Sequence, residues 1–172
     1  VLARLEHALG DHQLKSSRSN CSSLKDAQLK EFFECADNTW IRQLEPDPAQ
    51  GKNVPNKEAR QVLSGHYVLV RPTALPDPQV VACSKEMFLE MGLSPKVCSS
   101  RAFGRLFSGD VDVLPGFGQT WATPYALSIY GTEQEPGRGA STNGYGDGRA
   151  ISIAEVVVRG ERWEIQLKGS GT

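Results

Sequence analysis

The chain has 172 residues, 39% hydrophobic and 23% charged, with a formal net charge of −1. That length suits one medium domain or part of a larger one and is enough to bury a core. The near-neutral charge gives no electrostatic reason for a nucleic-acid or anionic-membrane partner, and no run of about 18 apolar residues is there to span a bilayer.

Residues 1–10 carry Leu2, Leu5 and Leu9 at helical spacing and end at Gly10, which predicts a short amphipathic helix. The serine-rich KSSRSNCSSLK that follows reads as a linker. In LKDAQLKEFFECA the spacing predicts a helix with Leu24, Leu29, Phe32 and Phe33 on its apolar face. LEPDPAQGKNVPNKEA holds Pro46, Pro48, Gly51 and Pro55 and must be loop. Alternation predicts a strand at Tyr67–Arg71, and TALPDPQVVACS reads as a proline-punctuated turn followed by a short apolar strand. SKEMFLEMGL predicts a helix with Ser84 as N-cap, Met87, Phe88 and Met91 inward, and Gly92 closing it. SSRAFGRLFSG predicts another short helix ending at Gly109.

From Leu114 the character changes. LPGFGQTWATPYALSIYG reads as loop and then a strand over about Tyr125–Tyr130, and TEQEPGRGASTNGYGDGR is long, polar and rich in glycine. AISIAEVVV is a strand, RG a tight turn and ERWEIQLKG a second strand, so an antiparallel hairpin is predicted. Within it Ile151, Ile153, Val156, Val158, Ile165 and Leu167 are the candidate core residues. The expected fold class is α+β, helices and loops first and antiparallel strands last.

The four cysteines, Cys21, Cys35, Cys83 and Cys98, form no CxxC pair and lie far in sequence from His7, His12 and His66, so no zinc site is expected. Four cysteines in a chain this long do not make a disulfide framework, and their usage points to a reducing compartment. No presequence is legible in the first thirty residues.

The glycine run and the hairpin together raise a specific chemistry. The returning strand brings its C-terminal end beside the N-terminal end of the first, so Lys168 is expected close to Gly146, Gly148 and Arg149. Glycines let backbone N–H groups approach an anion without a Cβ clash. Arg149 can bridge two phosphate oxygens, and Lys168 supplies a point charge. Protein kinases order a glycine loop, strand, turn, strand and lysine in the same way, but with G-x-G-x-x-G. Here the loop is GYGDGR, and no Walker GK[ST] is present. The residues alone leave two readings: a polyphosphate cradle, or a loop beside a structural hairpin. Glu164 alternates onto the face of Gln166 and Lys168, where Lys168, Arg162 or solvent would meet it.

GDGRAISIAEV and RWEIQLKGSGT, with NTWIRQLEPDP, SGHYVLVRPTALPDPQVVACS, MGLS and FSGDVDVLPGFGQTWATPYALSIYG upstream, resemble the selenoprotein O family of kinase-like protein adenylyltransferases. The likeness runs from about Phe32 to the last residue. It implies a kinase-like N-lobe that binds ATP in a flipped orientation and transfers AMP to Ser, Thr or Tyr hydroxyls of proteins. By the same likeness Gly146, Gly148 and Arg149 match the nucleotide-contacting GDGR, and Lys168 matches the phosphate-binding lysine. Many members carry YGGHQFGxWAGQLGDGR where this chain has YGTEQEPGRGASTNGYGDGR, so the loop before the cradle departs from the family pattern.

The resemblance also implies boundaries. Residues 1–30 would be a partly disordered extension, and residues 31–172 the N-terminal portion of the domain, truncated after the lysine. The family's catalytic loop and metal-binding Asn and Asp come further downstream. This chain is therefore expected to hold no catalytic residue and no ligand for the implied Mg, and to transfer no AMP by itself. A hairpin without its partner helix is expected to expose apolar surface and be marginally stable. The implied partners are ATP and hydroxyl-bearing proteins, and the implied compartment is mitochondrial. The alternative function is a non-catalytic binding or interaction module, or a decayed fragment, derived from the same family.

Overall fold

The computed structural model of the chain describes residues 24–54, 56–114, 117–129 and 150–170. The helix expected over 1–10, the linker after it and the glycine-rich stretch up to Arg149 lie outside these residues.

Helix α1 occupies 24–34 and crosses the boundary expected at residue 30. Leu29 and Phe33 are buried and Phe32 packs against the core, as the spacing predicts. Leu24 does not join them and is 71% exposed. Leu29 lies five helical steps further on, which turns Leu24 about 140° away from it. A short helix α2, Thr39–Gln43, follows.

The described part of the proline-rich segment is loop apart from a 3₁₀ turn at Gln50–Lys52, and it folds along the outer edge of the sheet. His66 N donates to Glu45 O and Asp47 N to Tyr67 O, both at 2.8 Å. Gln50 Oε1 accepts from Leu69 N at 3.0 Å, and Asn56 Nδ2 donates to Leu69 O at 3.0 Å. These groups occupy an edge that would otherwise be open to another chain. Buried Asp47 pairs with Arg60. Gly65 makes this approach feasible: its φ is +98°, and a Cβ there would meet Asp47 N at 2.7 Å.

The strand expected at Tyr67–Arg71 is shorter than the alternation implies. β1 is Val68–Leu69, because pairing stops where Arg71 leaves the sheet to meet Asp112. The apolar strand expected after TALPDP does not form: no residue from 71 to 84 is in a strand, and Val81 is 99% exposed. Pro72, Pro76 and Pro78 remove three ladder donors from this segment.

Helix α3 spans Lys85–Glu90, and the Ser84 hydroxyl accepts from Met87 N at 3.1 Å as a side-chain cap. Phe88 and Met91 are buried, and Gly92 closes the helix at φ +70°. Met87 was expected inward and is instead 41% exposed, because it lies at the edge of that face, on the rim of an apolar groove. Helix α4, Arg101–Leu106, is capped by the Ser100 hydroxyl and ends into Gly109 at φ +97°.

A different correction concerns Tyr125–Tyr130. In place of a strand, Pro124–Ile129 form helix α5, while the preceding Trp121–Ala122 is strand β2. The reason is local capping. The Thr123 hydroxyl accepts from Ala126 N and its carbonyl from Leu127 N. Pro124 sits in the first turn, where its missing N–H costs nothing. Cap chemistry thus overrides an ambiguous apolar pattern.

The predicted hairpin is present as β3, Ala150–Val158, and β4, Glu161–Lys168. Arg159 and Gly160 form the two-residue turn, with φ of +51° and +83°, the geometry of a type I′ hairpin. The strands complete a four-stranded antiparallel sheet in the order β1-β2-β3-β4. The apolar pattern of β3 changes phase between Ile153 and Val156, and the ladder slips between Ser152 and Ala154. That bulge keeps Ile151, Ala154 and Val156 on one face opposite Leu167, Ile165 and Trp163. Val158 and Ile165 are half-buried there; the rest of the candidate core list is buried. Leu29, Phe33, Phe88, Met91 and Leu106 join these residues in a single core cluster.

The cysteines also differ from expectation. Cys83 and Cys98 form a disulfide joining the start of α3 to the 3₁₀ turn Pro95–Ser99. Fifteen residues separate them in sequence. The spacing gave no sign of this, because the turn that brings the two together is set by tertiary packing. Cys35 is free and exposed. No described helix is long and apolar enough to cross a membrane.

Candidate functional site

The β3–β4 register decides where the candidate residues lie. Ala150 pairs directly with Lys168 across the two strands. Lys168 therefore ends β4 opposite the residue that follows Arg149, as the hairpin logic predicts. Gly146, Gly148 and Arg149 are themselves outside the described residues. Lys168 is exposed, and no ion pair or hydrogen bond engages its ammonium among the described residues.

The face opposite the core is polar. It carries Ala150, Ser152, Glu155 and Val157 from β3 against Lys168, Gln166, Glu164 and Arg162 from β4. Glu164 meets neither Lys168 nor Arg162, the two cations considered for it. It accepts from the Ser152 hydroxyl and, at 3.1 Å, from Gln166 Nε2. The bulge sets this by sliding Ser152 toward Gln166 and Glu164. Glu164 is thereby satisfied by neutral donors, and Lys168 keeps its whole charge for another partner.

One end of this face is closed. Glu155 is buried and accepts from Trp40 N at 2.6 Å and from the Thr39 hydroxyl at 3.2 Å. It acts as a borrowed cap for α2. Asn38 Oδ1 accepts from Glu155 N at 2.8 Å, and Arg162 forks onto Asp37. The hydrogen bond from Arg162 holds the Asp37 carboxyl below the usual range; desolvation opposes this, and the charges of Arg162 and Arg42 reinforce it. A folded-state pKa below the unfolded one contributes stability above the ordinary carboxylate range and loses it as pH falls through the folded value. Below about pH 4 the chain should therefore lose stability faster than Asp37→Asn. Urea midpoints across that range check this, and parallel curves for the two proteins would refute it.

The other end, at Lys168, is open. There Leu167, Lys168, Gly169 and Ser170 face Thr73, Leu75, Phe107 and Ser108 across a cleft. Sequence reasoning missed these four partners. They lie sixty residues or more upstream in an unremarkable turn and helix end, and no spacing rule connects them to a lysine on a distant hairpin. Among the described residues no group of three His, Cys, Asp or Glu side chains could hold a metal ion.

Comparison with known proteins gives these residues a context. The chain is 38% identical over 136 residues to protein nucleotidyltransferase YdiU of Methylobacillus flagellatus, an alignment covering 78% of this chain and 23% of the relative. Proteins of the same name from Azoarcus sp. and Xanthomonas campestris pv. campestris are 37% and 36% identical over the same shares. These relatives bear out the resemblance to the selenoprotein O family. The chain spans about a quarter of the length of these curated relatives. No family model matches the chain, and no solved structure matches it.

Proposed function

We propose that this chain contributes the phosphate-binding part of a protein adenylyltransferase. The supporting observation is the register of the hairpin, which sets Lys168 across from Ala150, the residue that follows the GDGR run in sequence. In this reading the Gly146 and Gly148 backbone lies against the phosphates of ATP without side-chain obstruction. Arg149 forks onto phosphate oxygens, and Lys168 neutralises charge as a free ammonium. The sheet order β2-β3-β4 suits the first strands of a kinase-like N-lobe. In AMP transfer a protein Ser, Thr or Tyr oxygen bonds to the α-phosphorus, the bond to the β-phosphate bridging oxygen breaks, and pyrophosphate departs as the hydroxyl proton is lost. Mg ions would offset phosphate charge in such a reaction, and their ligands would come from outside the described residues. A mitochondrial compartment is the corresponding proposal for location.

Titration with ATP tests the cradle. Lys168→Ala should bind ATP about tenfold or more weakly, since hydrogen bonds to charged groups are each worth about 1.5–3 kcal/mol. Equal affinity would leave an ordinary structural hairpin. A second reading, a binding module without catalysis, shares one expectation with the first, which is tested by incubating the chain with ATP labelled on its α-phosphate and a mixture of hydroxyl-bearing proteins. No transfer is expected from this chain alone, and robust labelling would overturn that expectation.

A further inference from the structure

Resting on the nucleotide reading above, we propose that the cleft beside Lys168 seats the nucleobase, with Phe107 as its stacking wall. The cleft is half open, with a volume of about 350 Å³, within the usual range for small-molecule sites. Its composition suits a molecule with one flat apolar end and one anionic end. Lys168, Gly169 and Ser170 stand on one side, and Phe107, Thr73 and Ser108 on the other.

Two features make the wall rigid before any ligand arrives. Leu75 N donates to Ser108 O at 2.9 Å, tying the turn to the end of α4. Gly109, at φ +97°, lets Thr73 O come so close that a Cβ would lie 2.6 Å from it. Phe107 is held from within by Phe103, ring centroids 4.4 Å apart, and still exposes 36% of its surface. A half-exposed aromatic braced by a second ring offers stacking area at little further entropic cost. The Thr73 and Ser108 hydroxyls have no partner among the described residues and can meet the polar edge of a base.

Two other sizeable grooves among the described residues fit a nucleotide less well. The larger, of about 470 Å³, holds Arg101 and Arg105 but no aromatic ring to stack on a base, and Asp77 and Asp110 line it as well. The second is apolar. It is lined by Phe32, Met87, Phe88, Met91 and Trp163 among others, and no Lys or Arg reaches it. Among the described residues, the cleft beside Lys168 brings together an exposed aromatic, free hydroxyls and an unengaged cation.

The test compares ATP with inorganic tripolyphosphate, which has the charge but no base, on the 172-residue chain. Phe107→Ala should weaken ATP about tenfold, the scale of losing one base–aromatic stack, and leave tripolyphosphate unchanged. Phe107→Trp should retain ATP binding, and Lys168→Ala should weaken both ligands. Phe107→Leu keeps the apolar bulk without the ring and decides the matter where circular dichroism shows the alanine variant misfolded. Unchanged ATP affinity in the Phe107 variants, with Lys168→Ala impaired, overturns the base site and leaves the cradle standing. Equal loss of both ligands in the Phe107 variants also overturns it, since Phe107 would then act through the fold. No ATP binding by the unsubstituted chain, or none of it dependent on Lys168, overturns the nucleotide reading and this inference together.

Discussion

Replacing Trp121 with alanine should cost about 3–5 kcal/mol of stability, the range for truncating a fully buried aromatic. Trp121 is 1% exposed and is the largest fully buried side chain described. It is half of a two-residue strand, and it pairs with Leu69 on one side and Ser152 on the other. β2 is thus the only described link between the loop-protected β1 edge and the hairpin that carries Lys168. A domain of this size is stable by about 5–15 kcal/mol in total. The loss should therefore lower the urea midpoint sharply and release the hairpin from the sheet. Trp121→Phe, which keeps most of the apolar volume, should recover much of the difference. A Trp121→Ala midpoint within about 0.5 kcal/mol of the parent, the scale of a surface substitution, would contradict the central place given to this side chain.

The second large effect belongs to the Cys83–Cys98 bridge. Closing a loop of about 15 residues is worth roughly 3 kcal/mol in the chain-entropy view of disulfides. The bridge joins the start of α3 to the turn that leads into α4, and the two helices meet through Phe88 and Phe103, ring centroids 5.3 Å apart. Reduction should lower the melting temperature of the chain, and Cys83→Ser should melt at the lower temperature whether or not reductant is present. Alkylation without reductant should modify Cys35 and spare Cys83 and Cys98. Alkylation of both, or equal melting with and without dithiothreitol, would show the pair to be open in solution.

The bridge also shows where sequence reasoning reached its limit. A pair fifteen residues apart looks the same in sequence whether the side chains meet or diverge. The Tyr125–Tyr130 segment failed for a related reason: a short apolar run fits a strand or a helix turn, and Thr123 with Pro124 decides between them through cap bonds. Met87 and Leu24 carry the right apolar character, yet helix phase and position at an element's end leave them exposed.

By itself the sequence determined the elements whose rules are local. Ser84 and Ser100 cap their helices, Gly92 and Gly109 end them, and Arg159–Gly160 turns the hairpin, because each depends only on hydrogen bonds and dihedrals within a few residues. The hairpin alone was enough to bring Lys168 beside the start of β3, since an antiparallel return fixes its own register. Tertiary structure decided what depends on distant neighbours. It extended the hairpin into a sheet through β2 and set a bulge that hands Glu164 to Ser152 rather than to Lys168. It also carried Thr73 and Phe107 across the fold to the lysine. Such contacts arise from packing one apolar face against another, and no local pattern in a single chain records which surfaces will meet.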